Sequence, residues 1–368
     1  MKYYLVAGEA SGDLHGANLM KALKLQDPEA KFRYFGGDKM QAEGGVLVKH
    51  YADMAFMGFL EVALHLRTIL KNMKACKADI SEYQPDALIL IDFPGFNLKI
   101  AEFAKTAGIR VFYYISPKVW AWNQKRVLKI KQVVDRLFCI LPFEVDFYKS
   151  WGMDIDYVGN PLLDEISHFK AEPRFAEIVG LDHRPVVALL PGSRQQEIER
   201  LLPVMLSMVN QLPDYQFVIA GATDFDAAYY ERFIGPRKVT LVFGQTYDLL
   251  HVSTAALVAS GTATLETALF RVPQVVMYKG SPLTIAIARM VIKIGFISLV
   301  NLIMDRKVVE ELIQEDCNPD RVYKTLQPLL AGEQREIMLR DYQELAGRMG
   351  EPGASARTAQ LMVEDLLK

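Results

Sequence analysis

The stretch that most constrains this chain is Val186 to Met205, VVALLPGSRQQEIERLLPVM. Val186 to Leu190 is an unbroken apolar run, the pattern of a strand buried on both faces. Pro191-Gly192-Ser193-Arg194 then turns sharply. From Gln195 the residues Ile198, Leu201, Leu202 and Met205 fall on one helical face. A strand, a tight loop and a helix in that order bring unpaired helix N–H groups to the end of a strand. Such a place attracts anions, phosphate above all, and Arg194 adds fixed positive charge. An ordinary βα turn with a surface arginine would read the same way, so the segment gains meaning only because the first loop of the chain repeats the design.

That first loop is Gly8-Glu9-Ala10-Ser11-Gly12-Asp13, after the strand Tyr3 to Ala7 and before a helix expected to open at Leu14. It departs from the GxGxxG spacing of dinucleotide sites. Glu9, just beyond the strand, and Ser11 are candidate substrate contacts, and Asp13 is expected to cap its own helix. Strands follow at Phe32 to Phe35, Ala87 to Asp92, Arg110 to Ile115, Leu137 to Ile140 and Asp156 to Val158. Helical patterns lie between them, at about Phe59 to Tyr83, Asn97 to Ala107, Trp122 to Val134 and Phe143 to Trp151. A polar seam with Pro161, Pro173 and Pro185 separates this half from a second. The alternation then restarts, with strands at Val186 to Leu190, Phe217 to Ala220, Leu241 to Phe243, Ala255 to Ala259 and Gln274 to Tyr278. After Pro319 the chain reads as helix. Alternation of this kind implies two doubly wound parallel sheets, whose ligands bind beyond the carboxyl ends of the strands. The expected site is the cleft between the halves.

Four places carry the chemistry. The PGSR loop is one. Asp92, closing the buried run ALILI, is placed to act as a general base, the alternative being a turn aspartate that caps the next helix. Ser116-Pro117-Lys118-Val119-Trp120-Ala121-Trp122 is followed by Lys125, Arg126, Lys129 and Lys131. Trp120 and Trp122 beside this basic helix suit a substrate with an anionic group and an apolar or sugar face, with Trp120 and Arg126 as candidate contacts, the alternative being a solvated helix with packed tryptophans. The fourth is Ser260-Gly261-Thr262, again a small-residue loop before a helix, with Glu266 one turn in and able to accept ribose hydroxyls. Asp154-Ile155-Asp156 and Asp224-Phe225-Asp226 read as structural, and the six histidines show no metal-ligand spacing, so no metal is expected.

Composition narrows the class. The 368 residues suggest two domains, and a net charge of -2 points away from nucleic acid. Cys76, Cys139 and Cys317 are scattered, and Lys2 leads straight into a strand, so a reducing, cytoplasmic setting without a signal peptide is expected. Ala63 to Lys77 and Thr284 to Phe296 combine apolar with basic residues, a pattern that suits either an anionic lipid surface or a core-packed helix.

Together these motifs resemble the lipid-A-disaccharide synthases. The matching pieces run in order: AGEASGDLHGA, FGGDKMQAEG, MGFLEV, IDFPGFN, YYISPKVWAWNQKRVLKI, LPFEVDFY, YVGNPLLDE, LLPGSRQQEIERLLPVM, ASGTATLE and SLVNLI. The resemblance implies an α/β fold of GT-B type, two Rossmann-like domains with a helical tail crossing back. We expect an acceptor domain at 1–165, a UDP-sugar domain at 166–345 and the tail at 346–368. It implies an inverting glycosyltransferase that moves 2,3-diacylglucosamine from UDP to the 6'-hydroxyl of 2,3-diacylglucosamine 1-phosphate (lipid X). In that reading Asp92 is the catalytic base and Glu9 lines the acceptor side. Ser193, Arg194, Ser260, Gly261 and Thr262 hold the diphosphate, Glu266 the ribose, and Asn301 faces the donor. No cofactor or metal is implied. The enzyme would sit peripherally on the inner face of the cytoplasmic membrane, and its tail permits a homodimer. Gly95 stands where many relatives carry a second Asp, and Asn160 where many carry His. The alternatives are another GT-B enzyme such as a UDP-sugar 2-epimerase, or a non-catalytic nucleotide-sugar module.

Overall fold

A computed structural model describes residues 1–54, 66–280 and 295–368. It forms two compact units, Met1–Ser167 with Glu351–Lys368, and His168–Gly350. The breaks expected from sequence were 165/166 and 345/346.

In the first unit the strands are β1 (Lys2–Ala7), β2 (Lys31–Gly36), β3 (Val46–His50), β4 (Ala87–Ile91), β5 (Arg110–Tyr114), β6 (Arg136–Cys139) and β7 (Asp156–Tyr157). They make one parallel sheet in the order β3-β2-β1-β4-β5-β6-β7. Alternate side chains enter opposite cores, Tyr4, Val6, Leu88 and Leu90 on one face, Tyr3, Leu5, Ala87 and Ile89 on the other. Burial on both faces is why these strands read as continuous apolar runs. The last helix, Ala354–Leu366, packs on the first, Ala10–Gln26. Its Ala359, Met362 and Val363 share a core with Leu19, Met20 and Leu23. Arg110 clasps Asp365 through two bonds of 2.7 and 3.0 Å.

The second unit holds β8 (Val186–Leu190), β9 (Gln216–Gly221), β10 (Val239–Phe243), β11 (Ser253–Ala259), β12 (Gln274–Tyr278) and β13 (Glu310–Ile313). Their order, β10-β9-β8-β11-β12-β13, repeats that of the first six strands of the first sheet. In each sheet the chain winds outward one way from the first strand and then the other way from the fourth. The order reverses between β1 and β4, and again between β8 and β11. At such a switch point the connections part and leave a crevice beyond the carboxyl ends. The loops leaving those four strands are Gly8-Glu9, Asp92-Phe93, Pro191 to Arg194 and Ser260-Gly261, the loops singled out from sequence.

Several local expectations give way. The first helix opens at Ala10, not Leu14. Gly12 lies close to β1, where an added Cβ would stand 3.2 Å from that of Ala7. Asp13 does not cap its own helix. Its buried carboxylate accepts the N–H groups of Gly37, Lys39 and Met40 at 2.7, 3.0 and 3.1 Å, and so caps the short helix Asp38–Ala42. The basic helix is two pieces, Val119–Trp122 and Arg126–Val133. Strands β3 and β13 were missed because edge strands with charged or half-exposed residues lack the apolar run. Asp156 pairs with Arg136 at 2.7 Å and Asp226 caps the helix Ala227–Ile234, as their structural reading required.

Of the amphipathic stretches, 63–65 and 284–294 lie outside the described residues, as does MGFLEV. In the helix Leu66–Tyr83, Met73, Cys76 and Ile80 are buried, while Leu66 and Leu70 stand exposed beside Arg67, Lys71 and Lys74. Among the described residues no helix is long and apolar enough to cross a membrane.

Removing a carboxylate that satisfies three N–H groups strands buried donors, each worth about 1–3 kcal/mol. Asp13→Ala is therefore expected to lower the thermal midpoint clearly, with Asp13→Asn intermediate. Equal midpoints for both variants and the parent would contradict this account of the turn.

Candidate active site

In the first unit the site is built at the end of β4. The Asp92 N–H donates to the Tyr114 carbonyl at 3.1 Å, one bond past the paired strands. The chain then enters the left-handed region, with φ of 42° at Asp92 and 49° at Phe93. That conformation costs an L-residue roughly 1–2 kcal/mol, so neighbours must hold it. They do so through the Asp92 carbonyl, which accepts the Asn97 amide at 2.8 Å and the Tyr113 hydroxyl at 2.6 Å. The fully buried Asn97 amide also reaches the Ile91 carbonyl at 3.2 Å and that of Val6 at 3.4 Å. The helix starts at Pro94, earlier than expected, with proline suited to its first turn. Gly8 completes the fit, since a Cβ there would meet the Phe93 ring at 2.3 Å.

The Asp92 carboxyl therefore leaves the sheet at a fixed place. Its pKa lies above the ordinary aspartate value. Burial raises it, the Lys118 ammonium draws it down and the Glu9 carboxylate pushes it up. Glu9 occupies the N-cap position of Ala10–Gln26, but its side chain makes no capping bond, so capping is not its use. Ser11 is exposed in the first turn of that helix.

Trp120 is only 7% exposed. Its indole N–H donates to Glu144 at 3.1 Å and its ring meets Phe143 edge-on at 5.0 Å. It thus enters the site through Glu144, without a free N–H for a ligand. Glu144, which sequence reasoning passed over, also accepts the Ser116 hydroxyl at 2.5 Å and the Leu141 N–H at 3.1 Å. Its only sequence signal is an acid inside the apolar run LPFEVDFY. Burial pushes its pKa up to about 7, with the bonds from Ser116, Leu141 and Trp120 opposing. Arg126 opens its helix half-buried, and its charge reaches the Tyr113 hydroxyl. The Trp122 side chain is outside the described atoms. Asn160 caps the helix Pro161–His168, accepting the Leu162 N–H at 3.0 Å and donating to the Ile140 carbonyl at 3.1 Å.

In the second unit the helix Gln195–Leu206 starts where expected, with Ile198, Leu201, Leu202 and Met205 buried. Ser193 and Arg194 are exposed. Glu197, unforeseen, folds back over Gly192 and pairs with Arg194 at 3.5 Å. The N–H groups of Gln195 and Gln196 precede the first intrahelical bond. Ser260 donates its N–H to Met277 and its hydroxyl to Ile297, at 2.9 and 3.4 Å, while Gly261 and Thr262 are exposed at the start of Thr262–Leu269. Glu266 accepts the Tyr247 hydroxyl at 2.9 Å, and burial raises its pKa against that bond. Asn301, expected to face the donor, is held by its own turn. Its amide is fully buried and spent on the Val309 carbonyl, Glu311, and the N–H groups of Val308 and Val309, at 2.7–2.9 Å. It shapes the turn before β13. Among the described residues no three His, Cys, Asp or Glu side chains cluster as metal ligands.

Two such sheets, with polar loops at both switch points, define a GT-B fold. The chain superposes on UDP-GlcNAc 2-epimerase from Neisseria meningitidis with a TM-score of 0.69 and 13% identity, covering 100% of both chains. It superposes on CalG4, the calicheamicin glycosyltransferase, with a TM-score of 0.60 and 15% identity, covering 100% and 98%. At such identities the likeness is one of fold alone. A family model described as lipid-A-disaccharide synthetase matches residues 3–364. The lipid-A-disaccharide synthase of Syntrophus aciditrophicus is 42% identical, over 99% of this chain and 97% of its own length. That of Myxococcus xanthus is 40% identical over 98% and 96%. The chain belongs to the lipid-A-disaccharide synthase family, and its activity is that of this glycosyltransferase of lipid A biosynthesis.

Glu144 gives a test of the buried geometry. Its carboxyl holds a proton in the folded chain at pH values where the unfolded chain has lost it, between the ordinary 4.5 and about 7. The folded state loses stability as pH rises through that window, because the charge must then be buried. Glu144→Gln lacks this penalty. Its thermal midpoint relative to the parent should climb from pH 4.5 to about 7 and level off above. A difference that does not vary with pH would contradict the assignment.

Proposed function

We propose that the chain transfers 2,3-diacylglucosamine from its UDP derivative to the 6'-hydroxyl of 2,3-diacylglucosamine 1-phosphate, with inversion and without a metal. The observation that carries this reading is Asp92, a carboxyl beyond a switch-point strand whose basicity is raised by burial. A base of that kind takes the proton from the acceptor hydroxyl as the oxygen attacks the anomeric carbon and the bond to UDP breaks. Glu9 lies near enough for its charge to act on Asp92 and belongs to the acceptor side.

The departing diphosphate needs positive potential, and fixed dipoles supply it without rearrangement. The first-turn N–H groups after Arg194 and Gly261 offer such dipoles, with the exposed Arg194 guanidinium and the Ser193 and Thr262 hydroxyls. Glu266, oriented by Tyr247, would accept the ribose hydroxyls. We place the enzyme on the inner face of the cytoplasmic membrane, where its acylated substrates reside. The exposed Leu66 and Leu70 beside Arg67, Lys71 and Lys74 suit an anionic lipid surface.

Asp92→Asn keeps the shape and removes the base. It should lower kcat about 10²–10⁴-fold while UDP still binds, as read by release of UDP and by calorimetry. Turnover near the parent's would refute the assignment of the base.

A further inference from the structure

The run Ser116 to Trp120 is an arch tied down at both ends by one buried carboxylate. Glu144 takes the Ser116 hydroxyl and the Trp120 indole N–H on the same oxygen, at 2.5 and 3.1 Å. Its other oxygen takes the Leu141 N–H at 3.1 Å, which anchors it to the neighbouring loop. Between the ties the backbone curls tightly, with Val119 N–H bonded to the Pro117 carbonyl at 2.6 Å and the Tyr148 hydroxyl bonded to the same carbonyl at 3.4 Å. Ser116, Pro117, Val119 and Trp120 are all buried. Lys118, the apex, is the only exposed residue from Val111 to Trp120.

The arch starts from strain. Ile115 has φ of 64°, a conformation that a β-branched residue adopts only when its surroundings compel it. Ile115 follows β5, and β5 ends beside Asp92, whose N–H bonds the Tyr114 carbonyl. The strained residue turns the chain out of the sheet next to the base, and Glu144 fixes the direction in which it leaves.

We propose that Glu144 is a positioning residue which, by clamping Ser116 and Trp120, holds the Lys118 ammonium within electrostatic reach of the Asp92 carboxylate. The inference rests on Asp92 being the base. Among the described residues, the titratable groups around that carboxylate are Glu9 from the loop after β1, Tyr113 from β5 and Lys118 from the arch, with Arg126 acting on Tyr113 from its helix. Lys118 is the positive group that acts on Asp92 against the upward pull of burial and Glu9. Without it a larger share of Asp92 would carry a proton and be unable to accept another. Glu144 touches no reacting atom in this scheme and acts through the arch alone.

The test is the pH profile of kcat/KM for Lys118→Met, Lys118→Arg, Glu144→Ala and Glu144→Gln, with Asp92→Asn as reference. The acid limb of that profile reports the base of the free enzyme. Lys118→Met should move the limb up by about one pH unit, with the rate regained at higher pH, and Lys118→Arg should restore the parental limb. Glu144→Ala should shift the limb in the same direction, whereas Glu144→Gln, which keeps an acceptor for Ser116 and Trp120, should stay near the parent. If Glu144→Ala does not fold, Trp120→Phe removes one tie and keeps the ring, and carries the same expectation. An unmoved limb in Lys118→Met overturns the charge pairing. A shift in Lys118→Met without one in Glu144→Ala or Trp120→Phe overturns the positioning role. If Asp92→Asn itself turns over normally, the reading of the base fails, and that outcome is distinct from both.

Discussion

The first half of the active site depends on one clamp, the Asn97 amide and the Tyr113 hydroxyl closing on the Asp92 carbonyl. Two successive non-glycine residues in the left-handed region would relax in an open loop. Here the buried asparagine spans the carbonyls of Val6, Ile91 and Asp92, so it ties β1, β4 and the turn into one unit. Asp92 is thereby a part of the sheet and not of a mobile loop. Preorganisation of this kind is what a proton acceptor needs, because a small misplacement of a reacting group costs large factors in rate.

The two sheets share a strand order but use their switch points for different chemistry. Beyond β1 and β4 stand carboxyls and a lysine, Glu9, Asp92 and Lys118. Beyond β8 and β11 stand small residues, hydroxyls, helix N-termini and Arg194. The first set can move a proton and the second can hold an anion. Glu197 complicates the anion site, because its carboxylate already lies over Gly192 and pairs with Arg194. The guanidinium is nonetheless largely exposed and weakly held, since surface pairs of this type contribute little.

Much of this was legible in the sequence because parallel strands buried on both sides leave a plain mark. The runs VVALL and QVVMY coincide with β8 and β12 residue for residue, and the expected strand Ala87 to Asp92 overran β4 by only Asp92. The loops that follow them announced the site through glycine, serine and charged residues at the strand ends. What stayed hidden were partnerships across the fold. Nothing local says that Asp13 caps the helix Asp38–Ala42, that Asn301 is spent on its own turn, or that Glu144 braces the two ends of the arch. The Asp13 and Glu144 pairings join residues that only the sheet topology brings together, and Asn301 depends on a turn that the side-chain pattern does not announce. Strands β3 and β13 escaped for a related reason, since at an edge the neighbouring strand supplies what the side-chain pattern lacks.

The central proposal is that Asp92 receives the proton of the attacking hydroxyl and that the N–H groups after Arg194 and Gly261 hold the nucleotide. The most direct measurement is a crystal structure of the Asp92→Asn protein with UDP and the acceptor 2,3-diacylglucosamine 1-phosphate bound together. The account predicts the acceptor 6'-oxygen within hydrogen-bonding distance of the residue 92 side chain, about 3 Å, with UDP phosphate oxygens on the N–H groups after Arg194 and Gly261. An acceptor hydroxyl bonded to some other carboxylate, or a diphosphate seated away from both loops, would contradict it.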